Sequence, residues 1–163
     1  MPVKVLAAVL VLLVALPAHA ETLDLTYRAV MHVRESEARP VLDDPTHLIG
    51  TAKFRGLAIF GENEAVPHRY EGWFDFVKGS GPFHGYALWT FADGAELRAA
   101  YEGRAQSGSD GASVVSATLH SFTGTGRFEG VAGSGDFAGR RLEAIDVGGS
   151  TYLSGHLSLI VPD

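Results

Sequence analysis

The chain has 163 residues, no cysteine and a formal net charge of −6. Without cysteine it uses neither disulfides nor thiolate-bound metal, and a mildly acidic chain with no basic run argues against nucleic acid or anionic membrane as a partner. The length suits one domain built around one core.

The first twenty residues read as an export signal. Lys4 supplies a positive start, residues 5–16 form an apolar run, and Pro17 breaks it ahead of "AHA" (18–20), with small residues at the −3 and −1 positions. About 20 apolar residues are needed to span a bilayer, so this run predicts a cleaved leader and no retained membrane segment. No cysteine follows to take a lipid. The expected domains are therefore a signal peptide, 1–20, and a single domain, 21–163, in a periplasmic or secreted protein.

Along the remaining chain the periodicity is two rather than 3.6. In "HLIGTAKFRGLAIF" one face carries Leu48, Gly50, Ala52, Phe54, Gly56, Ala58 and Phe60, the other Thr51, Lys53 and Arg55. In "HRYEGWFDF", Tyr70, Gly72, Phe74 and Phe76 alternate with Arg69, Glu71, Trp73 and Asp75. In "AELRAAYEGRA", Leu97, Ala99, Tyr101 and Gly103 alternate with Glu96, Arg98, Glu102 and Arg104. Half-wet strands of an antiparallel sheet produce this pattern. Turn signals at 61–67, 78–82, 92–94, 107–111 and 147–150 divide the chain into eight predicted strands: 22–33, 47–61, 67–77, 82–91, 94–105, 113–122, 135–146 and 150–161. The polar stretch 34–46 reads as the longest connection before the second strand. Short links in sequence order favour an all-β, eight-stranded antiparallel up-and-down β-barrel, since closure removes exposed edges. A two-sheet sandwich is the alternative. Barrels of this size are either just filled by side chains or able to hold one small ligand.

The stretch "GTGRFEGVAGSGDFAGRR" (124–141) has the glycines of a phosphate loop without their context. Its spacing, Gly124, Gly126, Gly130, Gly133 and Gly135, does not match G-x-G-x-x-G, and the following residues alternate like a strand rather than opening a helix. It reads instead as a tight turn that points Phe128 at the core. "GTGRFEGVAGSGDF" resembles the G-x-G-x-F-x-G-x-x-G-x-G signature of allene oxide cyclase-like barrels and of the plant dirigent proteins that share them. "HLIGTAKFRGLAIFGENEAV" is similar to that family's early strand, hairpin and strand. The resemblance implies a calycin-like barrel with an apolar cavity, often oligomeric in the plant members, which guide cyclisation of a fatty-acid epoxide or coupling of phenolic radicals. It places no catalytic residue on a position of this chain.

The presumed inner faces give the candidate ligand-binding residues: Phe54, Tyr70, Phe74 and Tyr101. A phenol in an apolar pocket can donate to a ligand, or simply bond a neighbouring backbone group. Tyr86 and Tyr152 fall on mixed faces. Arg141 and Glu143 are expected on the outer, wet face, because a buried charge there would need a partner and would mark a site. His47, His68 and His84 sit near strand starts and could meet at a rim. No pair has metal-ligand spacing, so surface or capping roles are expected and no metal is assigned. There is no G-x-S-x-G elbow for a serine hydrolase. Trp73, outward beside Glu71 and Asp75, marks either a contact between copies of the chain or an ordinary sheet surface.

Three functions stay open. The first is a cofactor-free module binding a small apolar or phenolic molecule. The second is a cyclase or isomerase that positions a reactive substrate in a water-poor cavity. The third is a filled barrel with a structural or assembly role.

Overall fold

A computed structural model describes residues 20–162. The expected signal peptide therefore lies, but for its last residue, outside the described residues. Eight strands, β1 (Ala20–Val41), β2 (Asp44–Phe60), β3 (Glu64–Val77), β4 (Gly81–Thr90), β5 (Glu96–Ser107), β6 (Ser113–Gly124), β7 (Ala132–Arg141) and β8 (Thr151–Pro162), pair antiparallel in sequence order. β8 returns to β1, so the sheet is a closed barrel. The eight-stranded up-and-down barrel is what forms; the sandwich is not.

The inner faces follow the period-two reading. Ala52, Ala58 and Phe60 on β2, Tyr70, Phe74 and Phe76 on β3, and Leu97, Ala99 and Tyr101 on β5 are all buried. Two expectations need correction. Residues 34–41 are strand rather than connection, with β1 turning into β2 through Leu42 and Asp43, both at positive φ. Past Met31, β1 parts from β8, and beyond Val33, whose N–H donates to the Gly148 carbonyl, β2 is its one strand partner among the described residues, so both faces and one edge of residues 34–40 are wet. Charges and Pro40 suit such an edge because they discourage pairing with another chain. The second correction is that β7 ends at Arg141, not at 146; beyond it a 3₁₀ turn, Ile145–Val147, lies within the β7–β8 connection.

The glycine-rich stretch closes one end of the barrel, here called the floor. Gly126 at φ +60° starts the 3₁₀ turn Gly126–Phe128, and Phe128 is fully buried. Its ring packs on Phe91, 4.9 Å between centroids, and Phe91 packs on Phe60 at 5.5 Å. The Arg127 guanidinium caps Phe91 and Phe128 at 4.6 and 5.0 Å from the ring centroids and pairs with Glu64 and Asp93. An L side chain in the left-handed region costs about 1–2 kcal/mol. A Cβ on Gly126 would also press on Ala95 at 3.2 Å. Gly126→Ala should therefore lower unfolding free energy by about 1–2 kcal/mol in urea titrations. An unchanged midpoint would show that the turn does not need glycine.

Candidate functional site

The barrel interior is unevenly filled. Between floor and middle, Tyr27, His68, Trp89, Leu97, Leu119, Leu157 and Leu159 are all but fully buried. Trp89 and His68 stack, with centroids 4.6 Å apart and planes 13° from parallel, and Tyr27 meets Trp89 edge-on at 5.7 Å. His68 was expected at a rim; it is instead a core residue. It shares the inward parity of Val66 and Tyr70, and its Nδ1 lies 3.0 Å from the Leu88 carbonyl oxygen. Nδ1–H donates to that oxygen, and Nε2 has no partner among the described residues. Burial lowers the pKa of this imidazole to about 4, so it is neutral at pH 7.

Toward the other end, the rim, the filling gives way to a cavity of about 80 Å³. All four residues singled out from the sequence, Phe54, Tyr70, Phe74 and Tyr101, lie on its wall. Their spacing along β2, β3 and β5 puts them on one inner surface, through the register that pairs Phe54 with Tyr70. Tyr70 meets Tyr101 edge-on at 5.4 Å and Phe137 at 5.3 Å, and Phe74 stacks on Phe76 at 4.8 Å. The Tyr101 hydroxyl sits over the cross-strand pair Gly72 and Gly85, where a Cβ on either glycine would strike it. The Tyr70 and Tyr27 hydroxyls are 3.4 Å apart. Burial pushes the pKa of Tyr27, Tyr70 and Tyr101 well above the ordinary phenol value, so each keeps its proton.

Sequence reasoning missed Phe83, Phe137, Ile145 and, above all, Arg141, which also line the wall. Arg141 was expected on the wet face. It points inward, with only 9% of its surface exposed, and burial holds its pKa below the usual guanidinium value. Strand parity explains the placement: Phe137, Gly139 and Arg141 share one face of β7, and Phe137 is core. In the register Arg141 stands between Ser113 on β6 and Thr151 on β8, a row of three buried polar residues at the rim. Arg141 Nη2 donates to Ser113 Oγ at 3.1 Å, and the Thr151 hydroxyl donates to the Gly149 carbonyl at 2.7 Å. The guanidinium carbon lies 5.5 Å from the Phe76 ring centroid. Its Nε has no partner, and it takes part in none of the ion pairs among the described residues. Glu143, the other residue of the expected pair, is exposed and accepts from Ser150, 2.7 Å away.

The rim histidines do not gather. His47 pairs with Asp75 at 2.6 Å, His84 stacks outside the barrel on Trp73, and His68 is in the core. Among the described residues no three of His, Asp and Glu come close enough to hold a metal ion, and no helix is long and apolar enough to cross a membrane. Trp73 faces outward as expected, 45% exposed, beside the exposed Tyr86. Tyr152 is also on the outer face.

No protein-family model and no curated protein matches this sequence. Among solved structures, the pterocarpan synthase dirigent protein GePTS1 is similar over 89% of each chain, with 11% sequence identity and a TM-score of 0.48.

Proposed function

We propose that this protein is exported through its first twenty residues and holds one small apolar or phenolic molecule in the rim cavity. The observation that carries this reading is the contrast within one barrel: a packed floor beneath a cavity walled by aromatic rings. A well-packed interior leaves few voids larger than a water molecule. An apolar space lined by convergent rings and a few polar groups is the usual form of a small-molecule site. At about 80 Å³, the cavity is well below the ~300–1,000 Å³ of drug-sized sites and about half the ~150 Å³ that encloses a benzene, so the occupant is one ring at most and reaches out through the rim. The resemblance of residues 124–137 to cyclase-like barrels points the same way. Export rests on the leader pattern of residues 1–20; cleavage after Ala20 would remove the Ala20–Pro162 pair and leave every pair from Glu21–Val161 onward intact.

Cyclisation chemistry would need a group that takes a proton as well as groups that give one. The tyrosine phenols on the wall hold their protons firmly, which suits donation to a bound oxygen. Binding is therefore better supported than turnover.

Native mass spectrometry with benzyl alcohol tests the reading. A one-to-one adduct is expected for the exported chain, and Ala52→Leu, which adds bulk to the cavity wall, should lose it. A clean apo mass at every alcohol concentration would overturn the reading. The same spectra report whether the Trp73–Tyr86 patch joins copies of the chain.

A further inference from the structure

Resting on that cavity reading, we propose that the bound molecule carries a carboxylate, which pairs with Arg141 at the rim while its apolar body points down toward Tyr70, Tyr101 and Phe137. A guanidinium keeps its proton under any ordinary condition, so Arg141 brings a fixed positive charge to a wall that otherwise carries none. Buried charges are normally paired, and this one has no carboxylate partner in any ion pair among the described residues. Among the described residues only Ser113 takes a hydrogen bond from it, and Nε is left without an acceptor.

The chemistry of the row narrows the partner. The guanidinium is a planar fork, which a carboxylate meets with two parallel hydrogen bonds. Ser113 Oγ accepts from Arg141, so its own proton is free to be donated. Thr151 Oγ1 spends its one proton on Gly149, so the donors to a carboxylate are Arg141 and Ser113. A neutral phenol or alcohol would leave the charge uncompensated. A phosphate would bring up to two charges into a small apolar space, at a greater desolvation cost than one carboxylate. The proposed ligand class is therefore a small monocarboxylic acid with a body the size of one ring.

Isothermal titration calorimetry on the purified protein with benzoate and with benzyl alcohol tests the proposal, since the two share a ring and differ in the head group. Charge-assisted pairing predicts that benzoate binds on the order of 10- to 100-fold more tightly. In Arg141→Met the two affinities should converge through loss of benzoate binding, with that of benzyl alcohol retained. Equal affinities in the unsubstituted protein would overturn the carboxylate while leaving the cavity reading intact. Binding of neither compound would overturn both. A benzoate preference that survives Arg141→Met would remove Arg141 from the role. Because the two titrations of the unsubstituted protein suffice to reject the proposal, it stays falsifiable even if the variant does not fold.

Discussion

Tyr101→Asp should cost the barrel about 4 kcal/mol or more, whereas Arg104→Asp, three residues along the same strand, should cost no more than about 0.5 kcal/mol. The difference comes from which way each side chain points. Tyr101 is buried, its hydroxyl over Gly72 and Gly85 and its ring against Tyr70, Phe83 and Phe137. Removing that ring leaves a hole that backbone glycines cannot fill. The carboxylate put in its place must then be desolvated or protonated. Arg104 is exposed, and its cross-strand neighbours Pro82 and Ser116 carry no charge. Urea or thermal unfolding of both variants checks the register, since a slip of one residue would move Tyr101 to the wet face. Equal, small losses would mean that the slipped register is the real one.

That register was legible because β2, β3 and β5 each keep one face apolar over many residues. What the sequence hid had specific physical causes. Residues 34–41 carry no alternation because, as an edge beyond the end of β8, they have no dry face to mark. The end of β7 was overrun because Leu142 and Ala144 prolong an apolar alternation into the connection, where Ile145 meets the cavity from a turn rather than a strand.

Arg141 is a different case, since two rules disagreed about it. Parity with Phe137 placed it inside, while the cost of burying a charge placed it outside. The pairing of β7 on both sides leaves its side chains no freedom to change face, so parity prevails and the electrostatic cost remains in the folded state. A residue that breaks a local rule within a closed sheet is where function is to be sought. His68 was placed near a rim because β3 was read as starting at 67; the strand begins at Glu64, and parity with Val66 and Tyr70 puts the imidazole inside. The four inner-face aromatics could thus be read from alternation alone, but the charged member of the site could not.

His68 gives the second large effect, a dependence of stability on acid. Its pKa is about 4 in the folded protein against 6.5 for a free imidazole. Above pH 6.5 neither state binds the proton, and the neutral ring keeps its full stability in the core. Between pH 6.5 and 4 the unfolded chain is protonated while the folded one is not, so acid favours unfolding. Below pH 4 both states carry the proton and the loss levels off. A separation of about 2.5 units corresponds to about 3 kcal/mol. The cause is desolvation; the rings around it, Tyr27, Tyr70 and Trp89, supply no charge to offset it.

The exposed carboxylates Glu35, Asp44, Asp110 and Glu143, whose pKa values are lowered by their hydrogen-bond partners, also lose stabilisation in acid. That background is common to any variant that leaves them alone. His68→Phe keeps a ring against Trp89 and removes the titration. Between pH 7 and pH 4 the unsubstituted protein should therefore lose about 3 kcal/mol more in urea unfolding than His68→Phe. Parallel pH profiles would mean that His68 titrates alike in the folded and unfolded chains, and so is not sealed in the core. A steeper loss in the variant would reverse the sign and point to a protonated imidazole as the stabilising form.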